Sequence, residues 1–233
     1  MKKILISGGN GAFGTELQKQ GHKSFNFAAP SRNRMDITKY SDIYRIASFH
    51  RPDYFIHAAA MTRPMAGHEN NPINSIQTNI VGTANVVEAC ISLDIKLIYI
   101  STDYVYPSTK TGMHSESSAL LPFTNYGWSK LGGECSVQMY DNSLILRMAM
   151  CEKPFPHPKT YDNVYKSSIF NDEAAKVTLR LLDEIGIINI GGKAQSIHNF
   201  VSSHQTTEAA QHDGHQNTTM NIDRMNNALS RRR

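Results

Sequence analysis

A tyrosine and a lysine stand one helical turn apart in the stretch NYGWSK, as Tyr126 and Lys130. The i, i+4 spacing places both side chains on one face of a helix. A free tyrosine, with a pKa of about 10, is a poor acid–base catalyst at neutral pH, but a neighbouring cation favours the phenolate and lowers that pKa. The pair is therefore either a tunable proton donor or ordinary helix surface, since the spacing also arises by chance.

Two hydroxyl residues, Ser101 and Thr102, end the apolar stretch KLIYIST upstream of this pair. If the stretch is a parallel strand, its carboxyl end lies at the sheet edge where open α/β sheets bind ligands. A hydroxyl group there would hold a substrate carbonyl oxygen opposite the tyrosine. The combination of tyrosine, lysine and strand-end hydroxyl is more specific than any of its parts.

A glycine-rich turn follows the first apolar stretch, in ISGGNGAFGTEL, with Gly8, Gly11 and Gly14 three positions apart. Gly8 permits a tight turn, Gly11 lets a pyrophosphate approach the backbone at a helix N-terminus, and Gly14 lets that helix pack closely on the sheet. Because the turn follows the very first strand and opens a helix, it predicts dinucleotide binding.

The residues after the second predicted strand, in APSRNRMDIT, bear on which dinucleotide is preferred. Guanidinium groups at Arg32 and Arg34 suit a 2′-phosphate, so NADPH is favoured, with NADH as the alternative. Asp36 is the counter-argument, because an acid near this interval holds a ribose hydroxyl. It could also meet the adenine or cap the helix that begins near Thr38.

Short apolar runs alternate with helical patterns along most of the chain. This order predicts an α/β fold with a doubly wound parallel sheet and helices on both faces. Asn71 and Pro72 are expected to start the third helix, as its cap and first residue. The predicted strands are 3–7, 24–29, 53–60, 96–101, 143–148 and 186–190, and the predicted helices 12–20, 38–49, 72–93, 125–140 and 172–184.

After about residue 150 this regularity declines. We predict a dinucleotide-binding domain over 1–150 and a small, shortened substrate-binding region over 151–233. Within it, 202–219 is almost purely polar and is expected to be a mobile linker before a helix at 220–229. Three histidines in this linker lack the acidic or cysteine partners of a metal site, so we predict no metal.

Composition excludes some classes of function. A net charge of +4 over 233 residues is too mild and too dispersed for a nucleic-acid surface. The three cysteines lie far apart, which fits a reduced, cytoplasmic location. The apolar stretch near the N-terminus is far shorter than a signal sequence or membrane span, so we expect no membrane association. A homodimer is one assembly that the sequence allows.

The motifs together resemble one family, the extended short-chain dehydrogenase/reductases, and within it the dTDP-4-dehydrorhamnose reductase group. The resemblance covers about residues 1–150 and is carried by GGNGAFG, PDYFIHAAA, NPINSIQTNIVGTANVVEAC, LIYISTDYVYP and NYGWSKLGGE. It implies a Rossmann-type fold and a Thr–Tyr–Lys set, which falls on Thr102, Tyr126 and Lys130. In that family the tyrosine gives the proton, the lysine binds the nicotinamide ribose and tunes the tyrosine, and the hydroxyl residue orients the carbonyl.

The resemblance also implies further cofactor contacts. Asn79 matches a family asparagine, although it could equally be a polar residue bonded to a neighbouring strand, and the alanines after the third strand match small residues beside the cofactor. Trp128 is expected to pack rather than react. The expected cofactor contacts are Gly8, Gly11, Ala12, Phe13, Gly14, Arg32, Asp36, Ala58, Ala59, Ala60, Asn79, Ser101, Tyr126 and Lys130.

The implied activity is NADPH-dependent reduction of a nucleotide-linked 4-keto-6-deoxy sugar, with Tyr126 as proton donor. Two alternatives stay open: an NAD-dependent sugar-nucleotide epimerase or dehydratase, and a non-catalytic, dinucleotide-binding regulatory subunit. Dehydratases tend to carry an acid where Tyr104 stands, and the shortened C-terminal region motivates the regulatory alternative. The candidate substrate contacts are Arg63, Met65, His68, Asp103 and Arg147, the last as a diphosphate or structural contact.

Overall fold

Six parallel strands form the central sheet of this computed structural model, which describes residues 1–231. Their order is β10-β5-β4-β3-β1-β2, and every neighbouring pair is parallel. The chain runs outward from β1 to β2 and then returns to the other side of β1 for β3. This reversal leaves a crevice at the carboxyl ends of β1 and β3, where doubly wound sheets bind ligands. The strands are β1 (Lys2–Ser7), β2 (Phe25–Ala28), β3 (Tyr54–His57), β4 (Lys96–Thr102), β5 (Ser143–Met148) and β10 (Gly186–Ile190).

Successive residues of each central strand point to opposite faces, and both faces are apolar. On β1, Ile4 and Ile6 join the core beneath one set of helices, while Leu5 joins the core beneath the other. The predicted Rossmann-type, doubly wound fold is confirmed by these two buried layers. Helices α1 (Ala12–Gly21), α7 (Asn171–Arg180) and α9 (Asp223–Ser230) contribute to the first core, and α2 (Tyr40–His50), α5 (Gly82–Leu93) and α6 (Asn125–Val137) to the second.

The helix predicted over 72–93 is interrupted. Short helices α3 (Met65–Asn70) and α4 (Pro72–Ser75) precede a π-helical turn over Ile76–Val81, and α5 follows it. Asn71 occupies the cap position before Pro72, but its side chain makes no capping hydrogen bond, so the predicted Asn71 cap is wrong. π-helical turns often occur at functional sites, and this one contains Asn79.

The chain after residue 150 divides between the central sheet and a smaller region. Strand β10 pairs with β5, and α7 packs on α1, so the central sheet does not end at the predicted boundary of residue 150. The two-domain division stays a prediction, and the last two residues of its second part lie outside the described range. The smaller region contains β6 (Met150–Cys151), β7 (Lys159–Tyr161), β8 (Val164–Lys166), β9 (Ile169–Phe170), β11 (Gln195–Ser196), α8 (Ile197–Ser202), β12 (Glu208–Ala210) and β13 (Gln216–Asn217).

The segment 202–219 is not the mobile linker that its polarity predicted. Strand β12 pairs with β7, and β13 pairs with β8. Thr218 and Thr219 are buried, and the hydroxyl of Thr219 donates to the Asn217 side chain at 2.8 Å. Hydrogen bonds to distant residues therefore order this segment in place of apolar burial. Among residues 1–231, no helix is long and apolar enough to cross a membrane.

A buried histidine joins three elements at the carboxyl end of β3. His57 Nδ1 lies 2.7 Å from the Ser7 hydroxyl of β1, and its Nε2 lies 3.0 Å from the Thr83 hydroxyl of α5. Burial, followed by the charge of Lys130, lowers the pKa of His57 from its ordinary 6.5 to about 3. The folded protein therefore holds this imidazole neutral while the unfolded chain protonates it.

We expect this difference to make the protein acid-labile. Above pH 6.5 both states are neutral at His57, and as pH falls from 6.5 toward 3 the unfolded state binds the extra proton. The free energy of unfolding should then fall by about 1.4 kcal/mol per pH unit from this group alone. Urea unfolding between about pH 7 and about pH 4 measures it, and His57→Gln, which cannot titrate, should flatten the slope. An unchanged slope in that variant would assign the acid lability to other groups.

Candidate active site

The glycine-rich turn forms a cradle between β1 and α1. Gly8 has a φ of +77°, and a Cβ on it would lie 2.7 Å from the Ala59 backbone nitrogen. A Cβ on Gly14 would lie 2.4 Å from the Gly8 carbonyl oxygen, so α1 could not pack as closely with any larger residue. At Gly11 a Cβ would meet only that oxygen, at 3.3 Å. Gly11 is the N-cap residue of α1 and makes no side-chain hydrogen bond, and the first turn of α1 contains no acidic residue. The N–H groups at this helix N-terminus are therefore available to bind an anion.

A cleft of about 300 Å³ opens beside this cradle at the carboxyl edge of the sheet. Six of the predicted cofactor residues line it, namely Gly8, Gly11, Arg32, Asp36, Ala59 and Ala60. The sequence analysis did not name Ser7, Gly9, Asn10, Pro30, Ser31, Met35, Ile37, Thr38 and Thr78, which also line the cleft. Most of these residues follow β1 or β2, so the rule that ligands bind beyond strand ends could have identified them.

The two arginines after β2 differ in position. Arg32 lines the cleft, its side chain is 77% exposed, and its Nε lies 3.7 Å from the Asp36 carboxylate. Arg34 does not line the cleft, and its carbonyl oxygen accepts a hydrogen bond from Arg45. Burial alone would raise the pKa of Asp36, but hydrogen bonds from Thr38 and the charge of Arg32 lower it. Asp36 lines the cleft and accepts hydrogen bonds from Thr38, but it does not cap α2, whose cap residue is Lys39.

The other eight predicted cofactor residues do not line this cleft, and five of them make contacts within the protein. Ala12 is the first residue of α1, Phe13 packs in the core, and the Ala58 N–H donates to the Ser7 carbonyl. The Ser101 hydroxyl donates to the buried Glu134 carboxylate. Asn79 uses its amide to hold both backbone groups of Met61, at 2.8 and 2.9 Å, and also donates to Ser129. Asn79 therefore bonds the loop after β3 and helix α6 rather than a neighbouring strand, and its contact with a cofactor stays a prediction.

The predicted catalytic tyrosine and threonine meet across the sheet edge. Thr102 is the last residue of β4, and Tyr126 lies in the first turn of α6, which the Thr124 hydroxyl caps. Gly127 permits the approach, because a Cβ on it would lie 2.4 Å from the Tyr104 carbonyl oxygen. Thr102 and Tyr126 lie close enough that the Thr102 side chain influences the pKa of the Tyr126 phenol. The sequence analysis missed Gly127, although a glycine directly after the tyrosine was the available signal.

The electrostatics of this pair differ from the expectation. Burial raises the pKa of Tyr126, the charge of Asp103 adds to the rise, and the Thr102 side chain opposes it. Lys130 is buried, with its Nζ 4.1 Å from the centre of the Tyr99 ring, and burial lowers its own pKa to about 7 against the charge of Glu134. The expected lowering of the tyrosine pKa by a cation is therefore wrong for this structure, because desolvation dominates both groups.

Three candidate substrate residues lie on the segment after β3. Arg63 forms an ion pair with Glu152 at 2.7 Å, and Met65 is partly exposed at the start of α3. His68 is fully buried, not a solvent-facing loop residue. Its ring centre lies 5.2 Å from that of Tyr126, and its Nδ1 lies 2.7 Å from the Ser75 hydroxyl. Within residues 1–231, His68 Nε2 has no hydrogen-bond partner.

Arg147 is a structural residue rather than a substrate contact. It is 1% exposed, and its guanidinium bonds the Glu134 carboxylate through Nε and Nη2, the latter at 2.7 Å. It also donates to the Tyr106 hydroxyl at 2.9 Å. With its donors engaged inside the protein, this side chain is not available to a diphosphate.

Asp103 is likewise buried and engaged. Its Oδ2 accepts hydrogen bonds from Lys166 and from the Thr218 hydroxyl. These two partners come from the C-terminal region, and the sequence analysis named neither. Asp103 therefore makes contacts within the protein in place of the predicted contact with a substrate. Lys166 Nζ also lies 3.9 Å from the centre of the Tyr104 ring.

The strand order, the glycine cradle and the cleft at the switch point define a Rossmann-type α/β protein. Comparison with known proteins narrows this class. The chain belongs to the RmlD substrate binding domain family, whose model matches residues 1–152. The resemblance to the dTDP-4-dehydrorhamnose reductase group is thereby confirmed.

Individual relatives are similar over the same part of the chain. A dTDP-4-dehydrorhamnose reductase from Aggregatibacter actinomycetemcomitans is 29% identical over 150 residues, which is 63% of this chain and 51% of the relative. The methionine adenosyltransferase 2 subunit beta of Bos taurus is 28% identical over 144 residues, which is 58% of this chain and 42% of the relative. The chain thus spans about half or less of the length of these relatives.

The fold extends beyond the region of sequence similarity. A crystal structure of dTDP-4-dehydrorhamnose reductase from Bacillus anthracis, in complex with NADP, superposes with a TM-score of 0.84 at 19% identity. The superposition covers 99% of this chain and 97% of that one. At this identity the likeness establishes the fold.

Proposed function

We propose that this protein is an NADPH-dependent reductase of a nucleotide-linked 4-keto-6-deoxy sugar, with Tyr126 as the proton donor. The observation that carries the proposal is the position of Thr102, at the carboxyl end of β4, beside Tyr126 in the first turn of α6. The glycine cradle and its cleft lie along the same edge of the sheet. The similarity to a dTDP-4-dehydrorhamnose reductase supports the choice of substrate class.

The residues of the cleft fit a dinucleotide. Gly11 would face the pyrophosphate, and the orphan amides of the first turn of α1 would bind its oxygens. Arg32 would pair with a 2′-phosphate, and Ala59 and Ala60 leave room for the cofactor. When bound, NADPH supplies the hydride that reduces the carbonyl carbon.

The raised pKa of Tyr126 keeps the phenol protonated in the free protein, although it also makes the phenol a weaker acid. At neutral pH the phenol keeps its proton, which is the state in which a reductase must begin. Tyr126 then passes this proton to the carbonyl oxygen as negative charge develops there. Lys130, with a pKa lowered to about 7, is poised to stabilise the phenolate that remains and to hold the ribose.

The substrate would enter from the side of α3 and the C-terminal region. Arg63 is the exposed cation of this side, and its partner Glu152 leaves it accessible to a phosphate group. His68 is fully buried against the Tyr126 ring and would hold that ring in place rather than contact the substrate. Met65 contributes apolar surface at the start of α3.

Arg32→Ala should weaken NADPH binding by about tenfold and leave NADH binding unchanged, because a charge-assisted hydrogen bond to the 2′-phosphate is lost. Quenching of protein fluorescence by each reduced cofactor measures the two affinities. Arg34→Ala is the matched control and should bind both cofactors normally, since Arg34 does not line the cleft. Equal weakening of NADH and NADPH by Arg32→Ala would remove the basis for preferring the phosphorylated cofactor.

The first alternative is an NAD-dependent epimerase or dehydratase. Such an enzyme would return the hydride to its substrate and would not consume reduced cofactor. Tyr104 follows Asp103 where dehydratases tend to carry an acid, and its ring lies 5.7 Å from that of Tyr126. This arrangement favours the reductase.

The second alternative is a dinucleotide-binding subunit without activity. The observation in its favour is the similarity to methionine adenosyltransferase 2 subunit beta. The buried Thr102 and Lys130, with the half-buried Tyr126, weigh against it, because a binding subunit has no need of a buried lysine on the same helix as this tyrosine.

Loss of NADPH absorbance after addition of a dTDP-4-keto-6-deoxyhexose tests the proposal. The reductase predicts consumption that stops when either component is omitted. Cofactor binding without consumption, unchanged in Tyr126→Phe, would favour the binding subunit. Conversion of the sugar with no net loss of NADPH would favour the epimerase or dehydratase.

A further inference from the structure

A buried charge cluster connects the C-terminal region to the end of β4. Asp103, 2% exposed, follows Thr102 directly. Lys166 from β8 contacts Asp103 Oδ2, and the Thr218 hydroxyl, from the segment after β13, donates to the same oxygen at 2.6 Å. Two separate segments of the C-terminal region therefore hold one carboxylate beside the proposed catalytic residues.

The other oxygen of this carboxylate faces Thr102. The Thr102 hydroxyl donates to Asp103 Oδ1 at 3.3 Å, and its oxygen accepts from the Tyr104 N–H at 3.3 Å. A hydroxyl group has one proton and two lone pairs. Once these two bonds are made, one lone pair remains on the Thr102 oxygen, and Thr102 lies beside the Tyr126 phenol. The direction of the Asp103 carboxylate thus sets the direction of the Thr102 hydroxyl.

We infer that Lys166 and Thr218 are positioning residues for the Thr102–Tyr126 pair and act through the Asp103 carboxylate. The inference rests on the proposed function for the roles of Thr102 and Tyr126. It assigns the C-terminal region a part in arranging the proton donor, in addition to any contact with substrate. Neither residue touches the reacting atoms.

The charges of Asp103 and Lys166 also link the C-terminal region to Tyr126. The negative charge of Asp103 raises the pKa of Tyr126, and the positive charge of Lys166 lies against that carboxylate. Burial alone would lower the pKa of Lys166, but Asp103 raises it overall, so Lys166 remains charged. The other groups that face this cluster are Tyr104, Cys151 and Arg63.

The test is direct titration of the Tyr126 phenol by NMR in protein labelled with carbon-13 at the tyrosine Cζ, with Tyr126→Phe to assign the signal. Lys166→Met leaves Asp103 uncompensated and should raise the pH of half-titration by about one unit or more. Asp103→Asn should lower it by a similar amount, and the double variant should fall between the two. Lys159→Met, which breaks only an exposed ion pair with Glu208, is the control and should titrate as the unchanged protein does.

Opposite shifts from the two single variants support the inference, because a merely structural role would not reverse sign with the charge removed. Shifts of the same sign, or none in folded protein, would overturn it. If Lys166→Met fails to fold, two other variants decide the question. Asp103→Asn must still lower the pH of half-titration of Tyr126, and Lys166→Arg must leave that pH unchanged. If the unchanged Tyr126 keeps its proton until the protein unfolds, Asp103→Asn must bring its titration below that pH.

This measurement needs no turnover and no sugar. Failure of the proposed reductase activity would therefore leave the titration result standing. If the protein reduces the sugar normally but the variants do not shift the titration of Tyr126, the positioning role is overturned and the proposed function is not.

Discussion

Tyr126→Phe is expected to lower kcat for reduction of the sugar ketone by about 10²- to 10⁴-fold, the range for loss of a general acid. The phenylalanine ring keeps the packing against His68 and Tyr104 but cannot give a proton. The phenol group forms only a small part of the site, so loss of its hydroxyl should leave the affinity for NADPH nearly unchanged. Steady-state rates and cofactor titration of the same preparation measure both effects.

Tyr140→Phe is the matched control for this variant. Tyr140 follows α6, and its hydroxyl donates to the Ile95 carbonyl at 3.2 Å, away from Thr102. Its loss should leave kcat within about twofold, because the hydrogen bonds that are removed, with Ile95, Cys90 and Asn142, are part-buried and do not involve the proposed catalytic residues. If Tyr126→Phe retained full activity, the proton would have to come from another group, and Tyr126 would be a packing residue.

Arg147→Met is expected to lower the free energy of unfolding by about 3–5 kcal/mol, the cost of leaving a buried charge without its partner. Glu134 is 0% exposed, and it would keep only the Ser101 hydroxyl and lose three guanidinium hydrogen bonds. The Tyr106 hydroxyl would also lose a donor. Urea unfolding monitored by circular dichroism measures the change.

Two comparisons isolate the buried pair. The double variant Arg147→Met with Glu134→Gln removes both charges and should recover much of the lost stability. Lys176→Met breaks an exposed pair with Glu173 and should cost no more than about 1 kcal/mol. Unchanged stability in Arg147→Met, together with weaker nucleotide-sugar binding, would restore the diphosphate contact predicted from the sequence.

The features that could be predicted from sequence are those fixed by local geometry. The glycine spacing at Gly8, Gly11 and Gly14 follows from the requirements of one strand–turn–helix unit, and short aliphatic runs can only be strands buried on both faces. Thr102 was placed at the ligand-binding edge because it ends a parallel strand, and the family resemblance joined Tyr126, which lies on α6, to it.

The features that escaped prediction depend on partners distant in the chain. Asp103 was a candidate substrate contact and Arg147 a candidate diphosphate or structural contact, but Lys166 and Glu134 neutralise their charges inside the protein. The polar run over 202–219 gave no apolar signal, although Thr218 is ordered by a hydrogen bond to Asp103. The lowered pKa of Lys130 depends on complete burial, which its helical spacing does not indicate.

Transfer of deuterium from NADPH labelled at the nicotinamide C4 to a dTDP-4-keto-6-deoxyhexose tests the central claim most directly. The two stereospecifically labelled forms of the cofactor are supplied separately, and the sugar product is examined by mass spectrometry and NMR. The account predicts one deuterium at the former carbonyl carbon of the sugar, from one of the two forms, and about 10²-fold or slower transfer in Tyr126→Phe. A bound cofactor that transfers no deuterium from either form would contradict it.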